Sequence, residues 1–167
     1  GVFTGLFVMH PFHNWRHHHV AHHGSAGDLD RRGTGDVPTL TVAEYQEKGW
    51  KARLGYWLFR HPLVMFGIGP LWSLVIGPRF MPKNPTKQMR RSVIWTNVAL
   101  VIMITGICFA IGWWEYLLIQ LPTVMLAGTA GVWLFYVQHQ FEDVYWESSE
   151  NWSYTEAALQ GSSYLKL

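Results

Sequence analysis

Two long uncharged apolar stretches constrain this chain more than any other feature. Residues 92–113 and 116–137 contain no Asp, Glu, Lys or Arg, and each is about long enough to cross a bilayer core of ~30 Å as a helix. Glu115 lies between them in an aromatic turn at 113–116, as expected at a membrane surface. Charged residues make up 14% of the chain, against about a quarter in soluble domains. We therefore predict an all-α integral membrane protein built on a transmembrane helical hairpin.

Shorter segments surround the predicted hairpin. Residues 63–76 are apolar but interrupted by glycine and proline, which indicates an interfacial or re-entrant segment and not a full span. Residues 1–56 combine many histidines with a polar stretch, and residues 138–167 are polar and acidic. Thr41 and Glu44 have the spacing of a capping box, which predicts the start of a short helix.

The distribution of basic residues predicts the orientation in the membrane. A cluster of Lys and Arg precedes the first long apolar stretch, whereas the turn after it has none. The cluster consists of Arg79, Lys83, Lys87, Arg90 and Arg91. The positive-inside rule places this end in the cytoplasm, and a hairpin returns the chain to the side it left. Provided that residues 63–76 do not fully cross the membrane, His139 should then share the cytoplasmic face with a histidine-rich helical cap at 10–23. The net charge of +2 is too small to suggest a nucleic-acid partner.

Most of the nine histidines lie between His10 and His23. In a helix over residues 12–26, each residue turns the chain by about 100°, so His22 and His23 fall about 60° and 40° to either side of His19. Imidazoles at this spacing can bind Fe, Zn, Cu or Ni, and the Glu that a hydrolytic HExxH zinc site needs is absent. Solvated or pH-sensing histidines are the alternative. Four other histidines are better interpreted as solvated or pH-sensing residues, or as residues that orient the metal ligands. These are His10, His13, His17 and His18.

Three stretches resemble one family. HNWRHHHVAHH resembles the second histidine box, HxxHH, of membrane fatty acid desaturases, with His19, His22 and His23 on the motif positions. GDLDRRGTGDVPTLTVAEY is similar to the segment after this box in acyl-lipid desaturases of the delta-12 (omega-6) type, chiefly bacterial ones. FYVQHQFEDVYW resembles the segment after the last transmembrane helix, where the superfamily carries one further ligand, here His139.

The resemblance implies a chemistry and its partners. It implies a fatty acid desaturase that uses two non-haem iron ions and O₂ to introduce a cis double bond into a membrane-associated acyl lipid or acyl thioester. Electrons would come from ferredoxin or a cytochrome b5-type protein. The implied metal ligands are His19, His22, His23 and His139, with the active site on the cytoplasmic face. No further catalytic or cofactor-binding residue is implied.

The family's first and third histidine boxes are absent from the sequence. We therefore expect residues 1–167 to be a fragment of a single desaturase domain, inactive by itself. A related diiron hydroxylase or epoxygenase acting on an acyl chain remains an alternative function. A histidine-rich membrane metal-binding or transport protein is a weaker one, because neither long apolar stretch contains an ionisable residue of the kind that ion paths usually need.

Overall fold

The computed structural model describes residues 1–33 and 37–164, and these residues form helices joined by loops. Within those ranges the only β pairing is an isolated parallel bridge between Asp28 and Glu147. The predicted all-α class is confirmed. The α-helices are α1 (Val2–Phe7), α2 (Phe12–His23), α3 (Val42–Glu47), α4 (Trp50–Arg60), α5 (Lys87–Ile111), α6 (Trp113–His139) and α7 (Tyr154–Gln160).

Helices α5 and α6 are the two that are long and apolar enough to cross a membrane. Their 25 and 27 residues correspond to about 38 and 40 Å at 1.5 Å per residue, which exceeds the ~30 Å hydrocarbon core. Most of their side chains are exposed within the described chain, as expected of helices whose apolar surface faces lipid. Two helices of the predicted length and apolar character are therefore present, and they fit an integral membrane protein.

The turn between α5 and α6 is shorter than the sequence suggested. We expected residues 113–116 to form it, but α6 already begins at Trp113 and only Gly112 interrupts the helices. Gly112 adopts φ 97°, a conformation that a residue with a Cβ avoids. Its N–H still bonds the Cys108 carbonyl at 2.9 Å, and its own carbonyl accepts from Tyr116 N–H at 3.2 Å. One glycine can therefore end one helix and begin the next.

The shorter apolar segment is a bent extension of α4. It contains two π-helical pieces, Val64–Ile68 and Leu71–Ile76, followed by a 3₁₀ turn at Gly77–Arg79. This segment is bent by 56° relative to α4, so the pair is either a broken third span or a re-entrant loop. In the first π-helical piece, the Phe66 carbonyl accepts a 2.7 Å bond from the Thr129 hydroxyl on α6.

The chain forms two compact units, and the first contains residues 1–17 and 62–132. Its core lies along one face of α5, where Met89, Val93 and Leu100 are buried. Asn97, also on α5, makes two hydrogen bonds with Arg79. The Arg79 guanidinium donates to Asn97 Oδ1 at 2.8 Å, and the Asn97 side-chain amide donates to the Arg79 carbonyl at 3.0 Å. These contacts hold the segment after the π-helices against α5.

The second unit contains residues 18–61 and 133–164. The predicted capping box is present at the start of α3: the Thr41 hydroxyl accepts from Glu44 N–H, and the Glu44 carboxylate accepts from Thr41 N–H. At the start of α7 the Ser153 hydroxyl accepts from Glu156 N–H. This unit contains the C-terminal ends of α2 and α6, which carry the predicted metal ligands.

Candidate metal centre

Three imidazole rings converge at the C-terminal end of α2. The ring centroids of His19 and His23 are 4.6 Å apart, those of His22 and His23 5.2 Å, and those of His19 and His22 6.3 Å. The i, i+3, i+4 spacing places them on one face of the helix. Burial lowers the pKa of His19, and its neighbours His23 and His22 lower it further. The neutral imidazole, which is the form that binds metal ions, is thereby favoured.

His139, the last residue of α6, joins this group through His22. The two ring centroids are 4.9 Å apart, and the two Nε2 atoms are 3.4 Å apart although 117 positions separate the residues in sequence. Phe135, one turn earlier on α6, packs against both rings, at 5.5 Å from His22 and 5.0 Å from His139. His22 is only 3% exposed. The structure thus places this nitrogen pair beside an aromatic ring, with His22 buried and His139 partly buried.

A second contact orients the His139 ring. Its Nδ1 lies 3.1 Å from the Gly161 carbonyl oxygen. A carbonyl can only accept, so Nδ1 must carry the proton when the ring is neutral, and the lone pair is then on Nε2. That lone pair points towards His22.

The chemistry of this group fits a metal ion, although the described residues supply only part of a ligand set. Two imidazole nitrogens about 2.1 Å from one tetrahedral ion are roughly 3.4 Å apart, close to the spacing seen here. A cavity of about 20 Å³ adjoins both rings, which is room for an ion or a water but not for an acyl chain. Within residues 1–33 and 37–164, however, no three His, Cys, Asp or Glu side chains are arranged to hold a metal ion.

The two histidine-bearing segments are joined by a buried carboxylate that the sequence analysis missed. Asp28 is 0% exposed. The Ser149 hydroxyl lies 2.8 and 2.9 Å from its two oxygens, the Arg31 guanidinium donates to it, and so does the Asp30 N–H at 2.9 Å. Alongside, Glu147 N–H bonds the Gly27 carbonyl and Leu29 N–H bonds the Glu147 carbonyl, both at 2.9 Å. We call these contacts the Asp28 clasp.

The Asp28 clasp is electrostatically favourable despite its burial. Burial opposes ionisation, but the hydrogen bonds from Arg31, Ser149 and the backbone outweigh it, so the pKa of Asp28 lies below its ordinary value. The Arg31 guanidinium also stacks 4.7 Å above the Trp152 ring. The only sequence signal was the Asp-to-Arg spacing of three residues, which is too common to single out this carboxylate.

The remaining histidines of the cluster differ from these. His17 is exposed. His13 lies in the first unit, where its Nδ1 is 3.1 Å from the Gln88 amide nitrogen and its backbone N–H donates to the Ser92 hydroxyl. Burial lowers the pKa of His10 to about 4, with a further contribution from Arg79. His10 and His13 thus have local structural partners of their own.

Comparisons of the sequence with known proteins identify its family. Residues 1–165 match the family model described as fatty acid desaturase. The chain is 44% identical over 167 residues to a "Fatty acid desaturase" of Bacillus subtilis, covering 100% of this chain and 47% of the relative. Proteins of Synechocystis and Nostoc named "sn-1 acyl-lipid omega-3 desaturase (ferredoxin)" are 24% and 23% identical over 164 residues, which is 91% of this chain and 43% of each relative.

The chain therefore spans less than half the length of these relatives. No solved structure matches it significantly. The family model, in contrast, covers nearly the whole chain. This chain belongs to the fatty acid desaturase family, whose members are oxidoreductases.

Proposed function

We propose that this chain contributes His19, His22, His23 and His139 to a centre of two non-haem iron ions in a membrane desaturase. The observation that carries the proposal is the 3.4 Å approach of the His22 and His139 Nε2 atoms, because residues this distant in sequence meet only where the fold requires it. When bound, the iron centre would supply the O₂-dependent oxidising power that an unactivated methylene needs and that no side-chain acid or base has.

The chain's own residues would hold and shield this centre. The buried ring of His22 and its aromatic neighbour Phe135 exclude water from one side of the nitrogen pair. His19 is favoured in its neutral form, so it can bind an ion without first losing a proton. The Asp28 clasp keeps the end of α2 beside the segment that follows α6.

Substrate and electron donor follow from chemistry and from the relatives. Removing two hydrogens from an acyl chain while reducing O₂ to water takes two further electrons from a donor. The names of two relatives mention acyl lipids and ferredoxin. We propose an acyl lipid or acyl thioester as substrate and ferredoxin or a cytochrome b5-type protein as donor. The basic residues between Arg79 and Arg91 offer an acidic donor a complementary surface.

Changing the histidines of α2 one at a time tests the ligand assignment. In the protein expressed from the complete open reading frame, His19→Ala, His22→Ala and His23→Ala should each lower bound iron and unsaturated product at least about 10-fold, since even orienting partners of ligands typically cost that much. The measurements are iron per chain and the mass of the acyl product, which distinguishes desaturation from addition of an oxygen.

His17→Ala is the matched control for these variants. It removes the same ring from an exposed position of the same helix, so iron and product should stay within about 3-fold of wild type, far from the 10-fold threshold for ligand partners. Equal losses from all four substitutions would contradict the assignment of the shared face to the metal.

The proposed topology has its own test. We expect the regions on either side of the apolar helices to be cytoplasmic and the turn at Gly112 to lie on the other side. Single cysteines at Glu47, Glu115 and Glu150, which are all exposed, in a Cys108→Ala background can be labelled with a membrane-impermeant thiol reagent. Glu47→Cys and Glu150→Cys should react from the cytoplasmic side, and Glu115→Cys from the opposite side. Labelling of the first two from different sides would make a shared metal site impossible.

A further inference from the structure

The C-terminal end of α6 is capped by a short segment that follows α7. The last carbonyls of a helix have no partner within it and need one from elsewhere. The Ser163 hydroxyl donates to the Val137 carbonyl at 2.8 Å, and the Ser163 N–H donates to the Gln138 carbonyl at 2.9 Å. The carbonyl of His139 itself accepts from the Gln140 side-chain amide at 3.0 Å. The backbone that ends in His139 is therefore held by hydrogen bonds in its last turn.

Gly161, in the same segment, holds the side chain of His139. Its carbonyl is the acceptor 3.1 Å from His139 Nδ1. The position of this carbonyl is fixed on both sides: Gly161 N–H donates to the Ala157 carbonyl at 2.9 Å, and the preceding carbonyl, Gln160 O, accepts from Tyr145 N–H at 3.3 Å. Gly161 is buried.

Only glycine fits at position 161. A Cβ there would lie 2.3 Å from the Ala157 carbonyl oxygen, far inside van der Waals contact, and the obstructing atom is backbone that cannot rotate away. Any side chain must therefore displace the backbone that carries the acceptor for His139. Position 55, in the middle of α4, is the opposite case, because a Cβ there would have nothing within 4 Å.

We propose that Gly161–Ser163 is a positioning element that fixes the ring orientation and the tautomer of His139, so that Nε2 faces His22 with its lone pair available. The inference rests on the proposed function in which His139 binds metal, and it adds the group that prepares His139 for that role. Ligating imidazoles generally donate their other N–H to a carbonyl or carboxylate, and loss of that partner typically costs about 10–100-fold in metal affinity. Gly161 acts through its backbone, so no motif search for polar side chains would find it.

The test uses metal-free and metal-titrated protein from the complete open reading frame, labelled with ¹⁵N-histidine. Above the pKa of its imidazoles, the wild-type signal of His139, identified by its loss in His139→Gln, should show the Nδ1–H tautomer. Gly161→Ala should shift His139 towards the Nε2–H tautomer and weaken Co²⁺ and Fe²⁺ binding about 10–100-fold. Ser163→Ala should give a smaller loss, because the N–H bond to Gln138 remains.

Gly55→Ala, which makes the same change at an open position of the same unit, is the matched control and should leave both the tautomer and the metal affinity unchanged. If Gly161→Ala keeps the wild-type tautomer and affinity, the positioning role is refuted. If Gly161→Ala does not fold, the wild-type spectrum alone decides, because an Nε2–H tautomer of His139 there overturns the inference. Full metal binding by His139→Ala would instead refute the proposed function, and the tautomer measurement would still report on the contact with Gly161.

Discussion

His139→Ala is expected to abolish product formation and to lower bound iron more than any other single substitution in the second unit. His139 is the one predicted ligand outside α2, and its Nε2 lies 3.4 Å from that of His22. Removing a partner that only orients a ligand costs roughly 10–100-fold in metal affinity or activity, so removing the ligand itself should cost at least about 100-fold. Iron per purified chain and unsaturated product are the two measurements.

His139→Gln separates coordination from capping. Gln keeps a polar side chain at the end of α6 but cannot supply an imidazole nitrogen, so it should lose iron nearly as completely as Ala does. His61→Ala, at the C-terminal end of α4, removes a histidine from the same unit and should retain iron. If both His139 variants keep full iron and more than about half of the activity, His139 is a bystander, since even an outer partner costs more than that.

Asp28→Asn should cause the largest loss of stability among isosteric substitutions in the second unit. The change keeps the shape but removes the charge that accepts bonds from Arg31, Ser149 and the backbone. Donors left without a charged acceptor in a buried site cost about 2–4 kcal/mol in total. Thermal unfolding of the detergent-solubilised protein, followed by tryptophan fluorescence, measures the loss. Asp143→Asn makes the same chemical change at an exposed position. It should alter the unfolding midpoint by no more than about 2 °C, since surface substitutions usually change stability by about 0.5 kcal/mol or less.

The difference in stability between wild type and Asp28→Asn should change with pH in a defined direction. The pKa of Asp28 is lower in the folded protein than its ordinary value of 3.8, so its contribution is fully present above that value and is lost as the pH falls through the folded pKa. Wild type should therefore lose its advantage over Asp28→Asn only below about pH 4. Hydrogen bonds from Arg32 and Thr41 lower the pKa of Glu44 to about 2. Glu44 is the same in both proteins, so its contribution to the pH dependence cancels in the stability difference. A stability difference that grows on acidification would contradict this account.

Sequence reasoning succeeded where one periodic pattern dominates a segment. An uninterrupted apolar run predicts α5 and α6 because a helix satisfies its backbone within one segment, whereas a β-barrel strand would show alternating apolar and polar residues. The helical period alone places His19, His22 and His23 on one face, and Thr41 with Glu44 specifies its cap through local bonds. In each case the deciding interactions lie within a few residues along the chain.

Sequence reasoning failed where a side chain is held by a residue far away in sequence or by a backbone group. Asp28 accepts a hydrogen bond from Ser149, 121 positions away, and no local pattern contains that pairing. The group that orients the ring of His139 is likewise absent from any local pattern. The structure instead gives this role to the Gly161 carbonyl, which every residue type possesses. The early start of α6 at Trp113 was missed because the left-handed backbone of Gly112 is invisible to hydropathy.

The 117 positions between His22 and His139 also mean that the ribosome synthesises His139 well after His22. At about 5–20 residues per second, a ribosome needs roughly 6–23 s to go from one to the other. During that interval the histidines of α2 are already available, with spacing that also suits Zn²⁺ or Cu²⁺, and these ions generally bind such sites more tightly than Fe²⁺. If the proposed iron site forms, its selection of iron would therefore depend on the cellular supply of metals during translation as well as on the finished fold. Expression in iron-poor, zinc-rich medium should yield protein loaded with the wrong metal.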